Sequence, residues 1–204
     1  MFLIGLTGNI GTGKSTVGAQ LKELGAFVVD ADLVYRELIQ PDKPAWRAVV
    51  SLFGEEILRP DRSIDRGLLG AIVFKDKQAL RDLERATHPL VIARAREILQ
   101  AANPRIAVYE AIKLLESGSA AYCDEVWVVT ASRETQIQRL VTSRGLTRED
   151  AIIRVDAQPP QDEKIALAFV VLVNDGELSQ LVQDVQREWS RVGAIAKRQE
   201  DAGR

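Results

Sequence analysis

Five short stretches of this chain are apolar and rich in β-branched residues, with no polar alternation: 2–7, 26–29, 106–109, 126–130 and 168–173. Strands that read this way have both faces covered, as in a parallel sheet between helical layers. After them the pattern turns helical, at 14–24, 31–39, 132–143 and 176–192. This β-α alternation predicts an α/β fold with an open, doubly wound, five-stranded parallel sheet flanked by helices. Ligands then belong at the carboxyl ends of the strands.

Two regions break the alternation. Residues 41–104 carry amphipathic spacing at 45–53, 65–73, 76–86 and 89–101, with Pro, Asp and Gly between. They predict a helical insertion placed to wall a substrate site. Residues 139–164 hold Arg139, Arg144, Arg148, Arg154 and Lys164, with Gly145 as a break and Pro159-Pro160 as a stop. That pattern suits a charged helix–turn–helix acting as a mobile lid over about 132–164, and equally a solvated, salt-bridged face. The expected organisation is one domain over 1–204 with this insertion and lid, and 197–204 as a frayed polar tail.

Charge adds a restriction. With 27 basic and 29 acidic residues, no broad electropositive field is expected, which argues against a nucleic acid or an anionic membrane as partner. A small-molecule substrate, and a monomer or weak homo-oligomer, are the expectation. The longest apolar run, 166–173, is far below the ~18 residues of a membrane span, and 2–7 is too short for a signal peptide. The single Cys123 allows no internal disulfide and reads as a small buried residue. Together these point to a cytoplasmic protein.

The chemistry begins at Gly8-Asn9-Ile10-Gly11-Thr12-Gly13-Lys14-Ser15, a complete G-x-x-x-x-G-K-[ST] motif between a predicted strand and a predicted helix. In that setting the backbone amides of residues 8–16, including Thr16, cradle nucleotide phosphates at the positive end of a helix. Lys14 reaches the β- and γ-phosphates, and the Ser15 hydroxyl ligates Mg²⁺. The fold is therefore expected to be that of the P-loop NTP hydrolases and kinases, with a nucleoside triphosphate and Mg²⁺ as the bound species.

Phosphoryl transfer also needs a carboxylate near the acceptor, further Mg²⁺ coordination and positive charge over the moving group. Asp30 and Asp32 follow the second strand. If the chain stays extended there, their side chains point the same way, although an Asp at a helix start also serves as a cap. Arg139 and Arg144 supply guanidinium groups suited to oxyanions, or else surface ion pairs. His88, the only histidine, lies at a predicted helix start, where a cap or a structural hydrogen bond is a plainer reading than a ligand contact. No cysteine–histidine pairing or metal-ligand spacing competes with these.

Taken in order, these residues resemble the dephospho-coenzyme A (CoA) kinase family, the last enzymes of coenzyme A biosynthesis. The similarity runs over nearly the whole chain. It is carried by Ile4-Gly5-Leu6-Thr7-Gly8 through Val17, Asp30-Ala31-Asp32, Thr87-His88-Pro89-Leu90-Val91, and Leu114-Leu115-Glu116-Ser117-Gly118 with Cys123-Asp124. Arg139, Arg144, Ala151, Arg154 and Gln158 match its lid pattern, and Asn174 the Asn after its last strand. The resemblance implies ATP as donor and the ribose 3′-hydroxyl of dephospho-CoA as acceptor. It implies Asp32 as the base at that hydroxyl, Arg139 and Arg144 over the phosphates, and His88 and the insertion on the acceptor side. Asn9 departs from the family's usual Gly, Ile112-Lys113 from its Pro-Leu, and Phe169 and Val173 from acids. Lys113 suits a phosphate contact, or more plainly a pair with Glu110 or Glu116. Two rivals share the motif: a nucleoside monophosphate kinase, which Asp30-Ala31-Asp32 disfavours because carboxylates repel a phosphate acceptor, and a nucleotide-driven switch ATPase.

Overall fold

β1 (Phe2–Thr7) is buried along its whole length and lies at the centre of a five-stranded parallel sheet ordered β2-β3-β1-β4-β5. The structure is a computed structural model, describing residues 1–202. The other strands are β2 (Phe27–Asp30), β3 (Ile106–Glu110), β4 (Glu125–Thr130) and β5 (Val170–Val173). Register puts Phe2 opposite Ile106 and Leu6 opposite Glu110 on one side, and Ile4 opposite Glu125 on the other. β3 is buried throughout and β4 nearly so, as continuous apolar strands should be when both faces are covered. β5 alternates instead. Val170 and Leu172 are buried, whereas Val171 and Val173 are exposed on this edge strand.

The chain divides into two compact units, Val29–Ala102 and the remainder. In the larger unit, α1 (Lys14–Glu23) and α9 (Leu178–Ala202) pack Val17, Leu21, Leu181, Val185 and Val192 with the sheet residues Ile4, Leu6, Val108, Trp127 and Leu172. Burying side chains of this size contributes roughly 1.5–3 kcal/mol each. The end of α9 corrects the expected frayed tail. Val192 and Ala196 carry its buried stripe onward, so the helix continues to Ala202, while residues 203–204 of that expectation lie outside the described residues. Among the described residues, no helix is long and apolar enough to cross a membrane.

α6 (Arg133–Arg144), α7 (Arg148–Asp156) and the short α8 (Gln161–Ile165) follow β4. Ile137, Leu140, Ala151 and Val155 give the α6–α7 pair a small core of its own. Arg133 pairs with Asp156 and Arg148 with Glu134 along its outside.

The unit Val29–Ala102 is helical: α2 (Ala31–Leu38), α3 (Pro44–Phe53), α4 (Arg66–Lys75) and α5 (Lys77–Ala102). Its core gathers Ile39, Trp46, Val49, Ile57, Ile64 and Leu69. Asp65 starts α4 as a cap, its carboxylate accepting from the amides of Gly67 and Leu68. The two helices expected at 76–86 and 89–101 are one. Pro89 deprives the Arg85 carbonyl of its donor, but Thr87, Val91, Ala95 and Leu99 form one continuous buried stripe that carries the helix through.

Candidate active site

The phosphate loop leaves the carboxyl end of β1 and becomes α1 at Lys14. Gly13 caps the helix at φ 92°, a left-handed conformation costly for any residue with a Cβ. A Cβ there would also strike the Asn174 carboxamide. The Gly13 carbonyl accepts from Thr16 and Val17 at 3.0 and 3.2 Å, closing the first turn. Thr12 is fully buried and its hydroxyl donates to the Asn9 carbonyl at 2.9 Å.

Lys14 Nζ lies 2.5 Å from Glu110 Oε1, with the two side chains 12% and 8% exposed. Glu110 ends β3, one strand over from the loop, and α1 comes so close to it that a Cβ on Gly18 would collide with its second carboxylate oxygen. The sequence reading missed Glu110 as a site residue. The signal was an acid at the end of the buried apolar run 106–110, at the edge of the crevice that the motif marks. A buried ammonium needs a partner, and here a strand end provides it.

The carbonyl side of the loop is held by other groups. Arg139, on the face of α6 toward the loop, donates to the carbonyls of Gly11 and Thr12 at 3.3 Å each and to Asn174 O and Oδ1 at 2.9 and 3.2 Å. Asn174 Nδ2 donates to Thr12 O at 2.8 Å. With the Gly11 and Thr12 carbonyls engaged on that side, the loop can turn its remaining amides to an anion. Arg144 shares none of these contacts. It ends α6, its side chain exposed and without a hydrogen bond or ion pair among the described residues. Ser15 is exposed on the first turn of α1. Hydroxyl and carboxylate oxygens are the ligands that Mg²⁺ takes, commonly one or two from protein with the rest from water and phosphates. The Ser15 hydroxyl and the Glu110 carboxylate suit that donor set.

In the unit Val29–Ala102, Asp30 is the N-cap of α2: its Oδ1 accepts from the amides of Asp32 at 2.7 Å and Leu33 at 3.4 Å. The chain turns helical at Ala31, so of the two arrangements open to Asp30 the helix cap is the one formed, and the extended alternative with both carboxylates pointing alike is not. Asp30 is occupied as a cap, and Asp32 sits exposed on the first turn of α2. His88 is half-buried inside α5 rather than at a helix start.

The family model described as dephospho-CoA kinase matches residues 2–180. The chain belongs to the dephospho-CoA kinase family. It is 44% identical to the dephospho-CoA kinase of Geobacter sulfurreducens over 195 residues, covering 94% of this chain and 98% of that one. The Streptomyces avermitilis dephospho-CoA kinase is also 44% identical, over 191 residues, covering 93% of each. Among solved structures, dephospho-CoA kinase from Campylobacter jejuni superposes with a TM-score of 0.66 at 28% identity, over 96% of this chain and 97% of its own. TT1252 from Thermus thermophilus gives 0.80 at 33%, over 95% and 97%. A shikimate kinase from Bacteroides thetaiotaomicron, at 13% identity and 0.55, shares the fold. Membership in the dephospho-CoA kinase family makes this chain a P-loop phosphotransferase that uses ATP.

Proposed function

We propose that this protein transfers the γ-phosphoryl group of ATP to the ribose 3′-hydroxyl of dephospho-CoA, yielding CoA and ADP. The observation that carries the reading is the family match over residues 2–180, which includes an assembled phosphate loop with Lys14 at its mouth. Loop amides beyond Ile10 hold the β-phosphate, aided by the amino end of α1. Lys14 turns from Glu110 toward the β- and γ-oxygens as they arrive, and its charge stabilises the transferring group. Ser15, together with Glu110, which contacts the adjacent Lys14, would hold Mg²⁺, which would supply charge neutralisation for the phosphates when bound.

Asp32 is the group assigned to the acceptor. It orients the 3′-hydroxyl and takes its proton as the new O–P bond forms and the bond from Pγ to the β-phosphate oxygen breaks, releasing ADP. Arg139, anchored at the loop, and Arg144, exposed at the end of α6, are proposed to complete the positive surround. The helices of 41–104 and His88 are assigned to the acceptor, and 132–164 to the lid that excludes water. The cytoplasm is its proposed location and a monomer or weak homo-oligomer its proposed state. Incubation with ATP, Mg²⁺ and dephospho-CoA should give CoA by mass spectrometry, while AMP, CMP, UMP and dTMP are left unphosphorylated. Turnover on a monophosphate without CoA formation, or ATP hydrolysis indifferent to dephospho-CoA, would overturn the reading.

A further inference from the structure

The phosphate loop is fastened to the α6–α7 pair at three neighbouring points. The Ile10 side chain packs against the pair's core. The Ile10 amide donates to Gln158 Oε1 at 2.7 Å. Asn9 Nδ2 donates to the Pro159 carbonyl at 2.9 Å. Gln158 and Pro159 lie just after α7, and Gln161, opening α8, is bonded in both directions to Ala131 at the end of β4, at 3.2 and 2.8 Å. Residues 158–161 therefore form a strap that returns the helix pair to the sheet. The phosphate loop grips one end and β4 the other.

Asn9 is an expensive residue for its place. It is 7% exposed, and its Oδ1 is buried without a partner among the described residues. The orientation of the carboxamide is fixed chemically, because the Pro159 carbonyl can only accept. A buried amide satisfied at nitrogen and orphaned at oxygen adds little net stability, since one bond gained offsets one lost to water. Glycine, which the resemblance gives as usual here, would remove both. What the side chain contributes is a fixed attachment between loop and strap.

We infer that Asn9 is a positioning residue acting through Pro159: with Gln158 it clamps the strap behind α7 onto the phosphate loop. The inference rests on the phosphoryl-transfer reading above, in which the α6–α7 pair covers the phosphates. A clamped strap gives that pair a fixed pivot, so less freedom is lost when it closes on bound nucleotide. It also commits the Ile10 amide to Gln158, leaving the phosphates to the amides that follow. Nucleotide retention is thus set partly from 158–159, outside the loop itself.

The test uses the whole protein with Asn9→Gly and Gln158→Met, reading displacement of a fluorescent ADP analogue by stopped flow, KM and kcat for ATP, and the thermal midpoint. ADP should leave each variant about five- to tenfold faster, the scale of one hydrogen bond. KM for ATP should rise more than kcat falls. Asn9→Gly should melt within about 3 °C of the parent, because its bond and its orphan cancel. The double variant should show less than the product of the single effects, since both cut one strap. ADP release within about twofold of the parent in Asn9→Gly overturns the clamp, whatever Gln158→Met does. ADP release needs no acceptor, so a parent protein that fails to make CoA would count against the proposed function and leave this measurement intact.

Discussion

Lys14 and Glu110 show how much of this site is decided by single side chains. The resting loop holds its lysine neutralised by a carboxylate that is almost fully buried. Nucleotide therefore takes over an existing charge pair and does not meet a bare ammonium. Asp32, by contrast, sits exposed in the first turn of α2 with no ion-pair partner among the described residues. These environments predict different failures. Lys14→Ala should remove most turnover and weaken nucleotide binding, because it deletes charge at the transferring group and leaves Glu110 buried and unpaired. Asp32→Asn should bind ATP nearly as the parent does while kcat falls on the order of 10²-fold or more. Isothermal titration with a non-hydrolysable ATP analogue, alongside steady-state rates, separates the two; near-parental turnover in Asp32→Asn would remove Asp32 from the role of base.

Among elements, α9 is tied to the sheet by more than apolar area. Arg191 donates to both carboxylate oxygens of Glu125 at 2.7 and 2.6 Å, and Trp127 Nε1 donates to the same carboxylate at 2.9 Å. Arg191 also stacks over Phe169, 5.0 Å from the ring centre. Burial alone would raise the Glu125 carboxyl, but the Arg191 and Trp127 hydrogen bonds and the Arg191 charge outweigh it and hold it below the ordinary carboxylate value. A depressed folded value means stability is present above the unfolded pKa, about 4.3, and is lost as pH falls through the folded one. Arg191→Met should therefore cost about 2–4 kcal/mol at pH 7, by stranding Glu125. It should also flatten the acid limb of a urea-unfolding series between about pH 5 and 3. A variant with parental stability and parental acid limb would show that the pair does not hold α9. Element identity was largely legible in the sequence, because continuous apolar strands, helical periods and the glycine-rich motif each have a simple physical cause. The misses have causes too. The Thr87–Leu99 stripe overrode the Pro89 break, and β5 keeps apolar residues on a face that is exposed. Glu110, Asn9–Pro159 and Arg139 on the loop carbonyls depend on contacts between segments more than ninety positions apart, which local pattern does not encode.

For the chain as a whole, strand order and sequence order disagree. β1 comes first in the chain yet lies in the middle of the sheet, and its neighbours are β3 and β4. Phe2 waits for Ile106 and Ile4 for Glu125. The unit Val29–Ala102 has a core drawn from residues close in sequence, from Ile39 to Leu69. Closing long loops carries an entropy cost before any contact rewards it, so near contacts form sooner than far ones. During synthesis β1 leaves the ribosome before any strand it will pair with, and the helices of 29–102 can form while it is still single. Pulse-labelled hydrogen exchange on refolding should accordingly protect amides of α3 and α5 before those of β1; simultaneous protection would mean that the sheet nucleates folding. The phosphate-binding motif is made first and assembled among the last, so the chain gains its nucleotide site only once most of it has been built.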